Sequence, residues 1–112
     1  MPAEKINTNT PDEELLTKEK PKLLRPDMYG VVLLNDDYTP MEFVVWVVMK
    51  VFYKSREEST RIMVDTHTKG KGLVDIYTFD VARSKAHQVQ QFAKQNDHPL
   101  KCVLEVEQGG EE

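Results

Sequence analysis

Three polar residues, Asn35, Asp36 and Asp37, stand shortly before a helix-forming run whose first apolar residue is Met41. Their side chains supply an amide and two carboxylates, and these groups accept hydrogen bonds from a cationic donor. A cation held there would lie beside the apolar surface that begins at Met41. Asn and Asp are also common in turns for structural reasons, because they tolerate unusual backbone angles and bond their own chain. The local pattern leaves both interpretations open.

The same carboxylates, taken with His67, allow other chemistry to be considered. A metal site built from Asp36, Asp37 and His67 lacks the paired histidine or cysteine spacing that is typical of such sites. An acid–base hydrolase could use Asp36 or Asp37 with His67, and it would have to turn over a substrate. The alternating pattern of residues 100–106 places Cys102 on the side of its strand that faces the core, so Cys102 is not expected to act as a nucleophile. We predict no catalytic residue, metal or cofactor, and we keep the hydrolase as the rival.

The residues on either side of the acidic turn predict a strand followed by a helix. Residues 29–34 form a short apolar run of strand-forming residues. Thr39 fits the N-cap position of a helix and Pro40 its first turn, and Glu42 would complete a capping box. We expect this helix to continue to about Tyr53.

The later elements follow from similar local signals. Residues 55–58 (Ser-Arg-Glu-Glu) form a second capping box, which predicts a helix that ends at Gly70. Residues 73–78 are interpreted as a strand, and Thr78 is expected to be the N-cap of a third helix. Residues 100–106 form the last strand. The order β-α-α-β-α-β predicts an α/β domain, an α+β sandwich in which helices pack on one face of a small three-stranded sheet.

Composition divides the chain and excludes some functions. All aromatic residues lie at or after Tyr29, so we predict a flexible extension over residues 1–27, a core over residues 28–107 and a disordered tail over residues 108–112. The net charge of −4 argues against nucleic-acid binding. A single cysteine and the absence of a long apolar run favour a cytoplasmic protein without a membrane span. We further expect a monomer.

The core resembles the ClpS family, the adaptors of bacterial Clp proteases. The most specific part of the resemblance is the run NDDYTPMEFV at residues 35–44. Further matching positions are Leu33, Leu34, Met63, His67, Gly70, Lys71, Asp80, Val81, Ala82, Lys85, His98, Pro99 and Leu100. The resemblance implies a non-enzymatic adaptor with a fold similar to the C-terminal domain of the ribosomal stalk protein.

The resemblance also implies a substrate and a partner. Members of this family bind proteins whose N-terminal residue is Leu, Phe, Tyr or Trp. They deliver these N-degron substrates to the N-terminal domain of the AAA+ unfoldase ClpA or ClpC, for degradation by ClpP. A third interpretation keeps the fold but makes the protein only a regulator that occupies the unfoldase.

Site residues follow from the resemblance position by position. The α-amino group of the substrate would be bound by Asn35, Asp36, Asp37 and His67. The hydrophobic side-chain pocket would be lined by Leu33, Thr39, Met41, Val44, Met63, Thr66 and Leu100. Met41 is the expected gatekeeper against side chains branched at the β-carbon, and Thr66 stands where the family pattern has valine. Asp80 and Lys85 would contact the unfoldase.

Overall fold

A computed structural model describes residues 27–107. The extension predicted over residues 1–27, apart from Asp27, and the tail predicted over residues 108–112 lie outside the described part. Three strands and three helices occur in the predicted β-α-α-β-α-β order. Their bounds are β1 Met28–Leu34, α1 Met41–Phe52, α2 Arg56–Lys69, β2 Lys71–Tyr77, α3 Phe79–Gln95 and β3 Lys101–Glu107. The predicted fold class is therefore confirmed. None of the helices within residues 27–107 is long and apolar enough to cross a membrane.

The first strand lies at the centre of the sheet. The strand order is β2-β1-β3, and β1 pairs antiparallel with both neighbours. The β1–β2 register shifts between Val31 and Val32, which pair with Asp75 and Leu73 respectively. A central strand is covered on both edges, which agrees with the burial of β1 from Gly30 to Leu33.

The hydrophobic core forms between one face of this sheet and the helices. Val31 and Leu33, which share a face of β1, are fully buried in a cluster to which all three helices contribute. On the opposite face, Leu73 and Ile76 of β2 remain 47% and 38% exposed. The helices thus cover one face, and β1 carries its chain directly from the core to the acidic turn.

The start of α1 differs from the sequence prediction. Pro40, not Thr39, is the N-cap residue, and no side chain bonds to the cap. The backbone carbonyl of Pro40 accepts hydrogen bonds from the amides of Phe43 and Val44 at 3.0 and 3.2 Å. The predicted capping box of Thr39 and Glu42 is wrong, because the Thr39 hydroxyl donates instead to Asp36 Oδ2 at 2.8 Å.

Both ends of α2 lie where the sequence placed them. Ser55 is the N-cap, and its Oγ accepts from the Glu58 amide at 3.1 Å. Only this half of the predicted capping box forms, because the Glu58 carboxylate pairs with Arg61. Gly70 ends the helix with φ of 90°, a left-handed conformation that glycine adopts without a Cβ penalty. Thr78 is the N-cap of α3, without a capping bond from its side chain.

Candidate binding pocket

A pocket of about 160 Å³ opens where the acidic turn, the start of α1, the second half of α2 and the segment before β3 meet. Its lining combines a polar rim and an apolar wall and consists of Leu34, Asn35, Asp36, Asp37, Thr39, Met41, Val44, Met63, Thr66, His67 and Leu100. The fold therefore brings together residues from four separate segments. Apart from Leu33, every residue assigned to the amine site or the side-chain pocket lies in this lining.

Leu33 is the exception, and the structure places it in the core. Its side chain is 0% exposed, whereas its neighbour Leu34 is half-buried and lines the pocket. Successive residues of a strand face opposite sides, so only one of two adjacent leucines can face the core. Leu34 is the wall residue that the sequence analysis missed. Leu34 directly precedes the acidic turn in the sequence, and this position could have predicted that it lines the pocket.

Asp36 braces the turn. Its Oδ1 accepts from the backbone amides of Tyr38 and Thr39 at 2.7 Å each, and its Oδ2 accepts from the Thr39 hydroxyl. Partial burial by itself raises the pKa of Asp36, but the hydrogen bonds from Thr39 and Tyr38 outweigh it and lower the pKa below the ordinary value of 3.8. Both carboxylate oxygens of Asp36 are thus engaged within the turn.

Asp37 has the opposite environment. Its side chain is exposed, and within residues 27–107 its carboxylate makes no hydrogen bond or ion pair. Of the two adjacent carboxylates, Asp37 is therefore the one whose oxygens have no partner among residues 27–107.

Asn35 and His67 complete the polar rim from two elements. The Asn35 amide donates to the Gly70 carbonyl at 3.0 Å, which ties the end of β1 to the end of α2. His67 lies in the last turn of α2, three residues before Gly70, and both Asn35 and His67 line the pocket. Both are exposed. The rim thus offers an amide oxygen, a carboxylate and an imidazole to one bound group.

The apolar wall has a buried floor and an exposed edge. Val44, Thr66 and Leu100 are 7%, 4% and 2% exposed, whereas Met41 is 50% exposed at the mouth. Thr66 replaces the expected valine without leaving a polar group unsatisfied, because its hydroxyl donates to the Ile62 carbonyl one turn earlier at 2.8 Å. The wall can therefore be as apolar as a valine would make it.

Asp80 and Lys85, assigned to the unfoldase contact, lie on α3 outside the pocket lining. Asp80 is exposed in the first turn of α3. Lys85 is half-buried, because its Nζ donates to the Val51 carbonyl and lies 4.9 Å from the centre of the Tyr53 ring. The structure thus gives Lys85 a role within the fold, and the contact with an unfoldase stays a prediction.

Two features of the described residues bear on catalysis. Within residues 27–107 no three His, Cys, Asp or Glu side chains are grouped as metal ligands, and no hydrogen bond joins His67 to Asp36 or Asp37. Burial raises the pKa of the Cys102 thiol to about 12, so the thiol is protonated and a poor nucleophile at neutral pH.

Comparisons with known proteins agree with this geometry. A family model described as the ATP-dependent Clp protease adaptor protein ClpS matches residues 24–103. The ATP-dependent Clp protease adapter protein ClpS of Rhodospirillum centenum is 48% identical over 103 residues, 92% of this chain and 95% of that protein. The protein of the same name from Parvibaculum lavamentivorans is 52% identical over 93 residues, 83% of this chain and 84% of that protein.

A solved structure gives the same result. Agrobacterium tumefaciens ClpS2 bound to L-phenylalaninamide superposes with a TM-score of 0.72 at 40% identity, covering 74% of this chain and 100% of that one. Fold and sequence together define an adaptor of the ATP-dependent Clp protease. The chain belongs to the ClpS family.

Proposed function

We propose that this protein binds the first residue of proteins that begin with Leu, Phe, Tyr or Trp, and delivers them to a ClpA- or ClpC-type unfoldase for degradation by ClpP. One observation carries the substrate part of the proposal. The exposed carboxylate of Asp37, which has no partner among residues 27–107, lines the same pocket as the apolar side chains of Val44 and Leu100, so a single ligand could place an ammonium and a hydrophobic side chain there at once.

The size of the pocket supports one side chain as its occupant. A dry protein cavity of about 150 Å³ accommodates a benzene ring, and the pocket measures about 160 Å³. L-phenylalaninamide, the ligand of the Agrobacterium relative, combines such a ring with a free α-amino group. The lining of the pocket here offers both kinds of surface, because it includes the apolar side chains of Val44 and Leu100 and the carboxylate of Asp37.

The energies are of the right order for an adaptor. An α-amino group with a pKa near 8 is mostly cationic at neutral pH, and each charge-assisted hydrogen bond contributes about 1.5–3 kcal/mol. Burial of one Leu or Phe side chain adds about 1.5–3 kcal/mol. Two or three such bonds and one buried side chain, less ordering costs, give on the order of −8 kcal/mol, or micromolar affinity. Binding of this strength allows the substrate to be released to the unfoldase.

The test of recognition compares two peptides that differ only at the amino terminus. Fluorescence anisotropy is measured with a labelled peptide beginning in Phe and with its acetylated form, which has no cationic amine. We expect micromolar binding of the free peptide and at least a tenfold loss for the acetylated one. Equal binding of both, or of neither, would contradict the proposal. Mass spectrometry of the free peptide after incubation detects the cleavage that a hydrolase would cause.

Delivery needs a separate measurement. Degradation of a reporter that begins with Phe is followed with ClpP and either ClpA or ClpC, with and without this protein. Asp80→Lys is the matched variant, because Asp80 is exposed and makes no side-chain bond within residues 27–107. We expect it to slow delivery while peptide binding is kept. A protein that binds the unfoldase but no peptide would instead be only a regulator.

A further inference from the structure

Thr66 has a hydroxyl group and a methyl group on its Cβ atom, and the two have different surroundings. It lines the pocket and is only 4% exposed. Its hydroxyl donates to the Ile62 carbonyl at 2.8 Å and is thereby held against its own helix. We therefore expect the methyl group of Thr66, rather than its hydroxyl, to face the pocket. The depth of the pocket beside Thr66 therefore depends on how much space the Thr66 side chain has on the side away from the pocket.

Gly72 of β2 occupies the space behind Thr66. A Cβ atom on Gly72 would lie 2.2 Å from Thr66 Oγ1, 3.0 Å from the Ile62 carbonyl oxygen and 3.2 Å from the Thr66 amide nitrogen. Separations below 3.0 Å essentially never occur for a real Cβ atom. The backbone of Gly72 has no positive φ, unlike that of Gly70, so its conformation does not call for glycine. Gly72 is needed for space alone.

We propose that Gly72 is a specificity-determining residue that acts through Thr66. By leaving room for the Thr66 hydroxyl behind the wall, it keeps the pocket wide enough for large N-terminal side chains. This inference rests on the proposed function. Gly72 itself does not line the pocket, and it is a positioning residue.

A side chain added at Gly72 should displace α2 and not β2, because β2 is held more firmly. β2 is fixed in its ladder with β1, where Gly72 pairs with the fully buried Leu33. A side chain at position 72 therefore displaces the Thr66 side chain or the helical turn from Ile62 to Thr66. The open side of that turn is the pocket. A methyl group added at Gly72 narrows the site for the ligand without touching the ligand.

The first test is Gly72→Ala, assayed with three peptides that differ only in an N-terminal Leu, Phe or Trp. We expect affinity for Trp and Phe to fall by about tenfold or more, and affinity for Leu to fall less, because overpacking is felt most by the largest occupant. Gly30→Ala is the matched control. It adds the same atom to the same sheet, where the three nearest atoms belong to the side chains of Leu73 and Glu107 and not to the backbone, and the Leu-to-Trp affinity ratio should not change.

A double variant shows whether Gly72 acts through Thr66. In the Thr66→Ala background the contact at 2.2 Å is gone and the backbone contacts at 3.0 and 3.2 Å remain, so adding Gly72→Ala should change the Leu-to-Trp ratio less than it does in the wild-type background. A folded Gly72→Ala protein with the wild-type ratio would overturn the inference. Failure of the wild-type protein to bind any peptide with a free amine would instead count against the proposed function.

A second variant keeps the inference testable if Gly72→Ala does not fold. Thr66→Ser keeps the hydroxyl and its bond to the Ile62 carbonyl but removes the methyl group, and it should shift the affinity ratio toward Trp. An unchanged Leu-to-Trp ratio in a folded Thr66→Ser protein would mean that the Thr66 methyl group does not limit the pocket, and would overturn the inference.

Discussion

Lys85 donates a hydrogen bond from Nζ to the backbone carbonyl oxygen of Val51 at 2.8 Å. Val51 lies in the last turn of α1, where carbonyl groups lack partners within the helix and a positive charge is favourable. The same ammonium lies 4.9 Å from the centre of the Tyr53 ring, within the range of a cation–π interaction. Lys85 thus links α3 to the end of α1.

This contact predicts that Lys85→Met destabilises the fold. Methionine keeps most of the side-chain stem but loses the donor, so we expect the free energy of unfolding to fall by about 1 kcal/mol in urea denaturation. Peptide affinity should not change, because Lys85 is not part of the pocket lining. A Lys85→Met protein that unfolds with the same urea midpoint as wild type would show that the bond to Val51 contributes nothing to stability. For the same reason, charge reversal at Asp80 tests the unfoldase contact more cleanly than charge reversal at Lys85.

The sequence predicted those parts of the structure that depend on local signals. The caps at Ser55 and Gly70 follow from neighbouring residues alone and lie where expected. The start of α1 was mispredicted because several acceptors stand close together there. Both Asp36 and Thr39 can bond backbone amides, and the bend of the turn decides that Asp36 does so.

The pocket wall could be predicted only in part. Leu33 and Leu34 are both apolar, so the pattern does not show which of them faces the core. Which of the two leucines is buried depends on which face of β1 packs against the helices, and the sequence pattern does not show this. The contact between Gly72 and Thr66 likewise depends on how closely α2 packs against β2. Resemblance to a family supplied most of the pocket, and the three-dimensional packing corrected it.

The two adjacent carboxylates should separate into a structural and a binding role, and Asp36→Ala tests the structural one. It removes three hydrogen bonds from the turn, so we expect a loss of about 1–2 kcal/mol in unfolding free energy at pH 7. The pKa of Asp36 is lowered in the fold, so its contribution is present above 3.8 and is lost as the pH falls through the folded-state pKa. The difference between wild type and variant should therefore shrink in acid. A constant difference from pH 7 to pH 2 would contradict this account.

Asp37→Asn tests the binding role. The substitution keeps the shape of the side chain but removes its charge, which should lower the affinity for a free N-terminal Phe by about tenfold in anisotropy titrations. Stability should stay within about 0.5 kcal/mol of wild type, because the side chain is exposed and makes no bond within residues 27–107. Wild-type affinity in Asp37→Asn would remove this residue from the amine site.

Met41 should select against side chains branched at the β-carbon. It lines the pocket and is 50% exposed, so we expect it to meet the first carbons of an entering side chain. We expect wild-type protein to bind peptides beginning with Ile or Val at least several-fold more weakly than Leu, and Met41→Ala to reduce that difference. Titration of the three peptides against both proteins measures it. Equal wild-type affinities for Leu, Ile and Val would exclude the gatekeeper role.

Ser59 offers a stabilising substitution away from the pocket. It is fully buried in α2, and its hydroxyl has no hydrogen-bond partner within residues 27–107. Burial of an unsatisfied hydroxyl costs about 1–3 kcal/mol, and alanine is also the better helix former. Ser59→Ala should therefore raise the unfolding free energy by about 1 kcal/mol, or the melting temperature by about 4–8 °C for a core of this size. Ser84→Ala, at an exposed position of α3, measures the helix-propensity part alone. A gain at Ser59 no larger than the gain at Ser84 would mean that the buried hydroxyl carries no penalty.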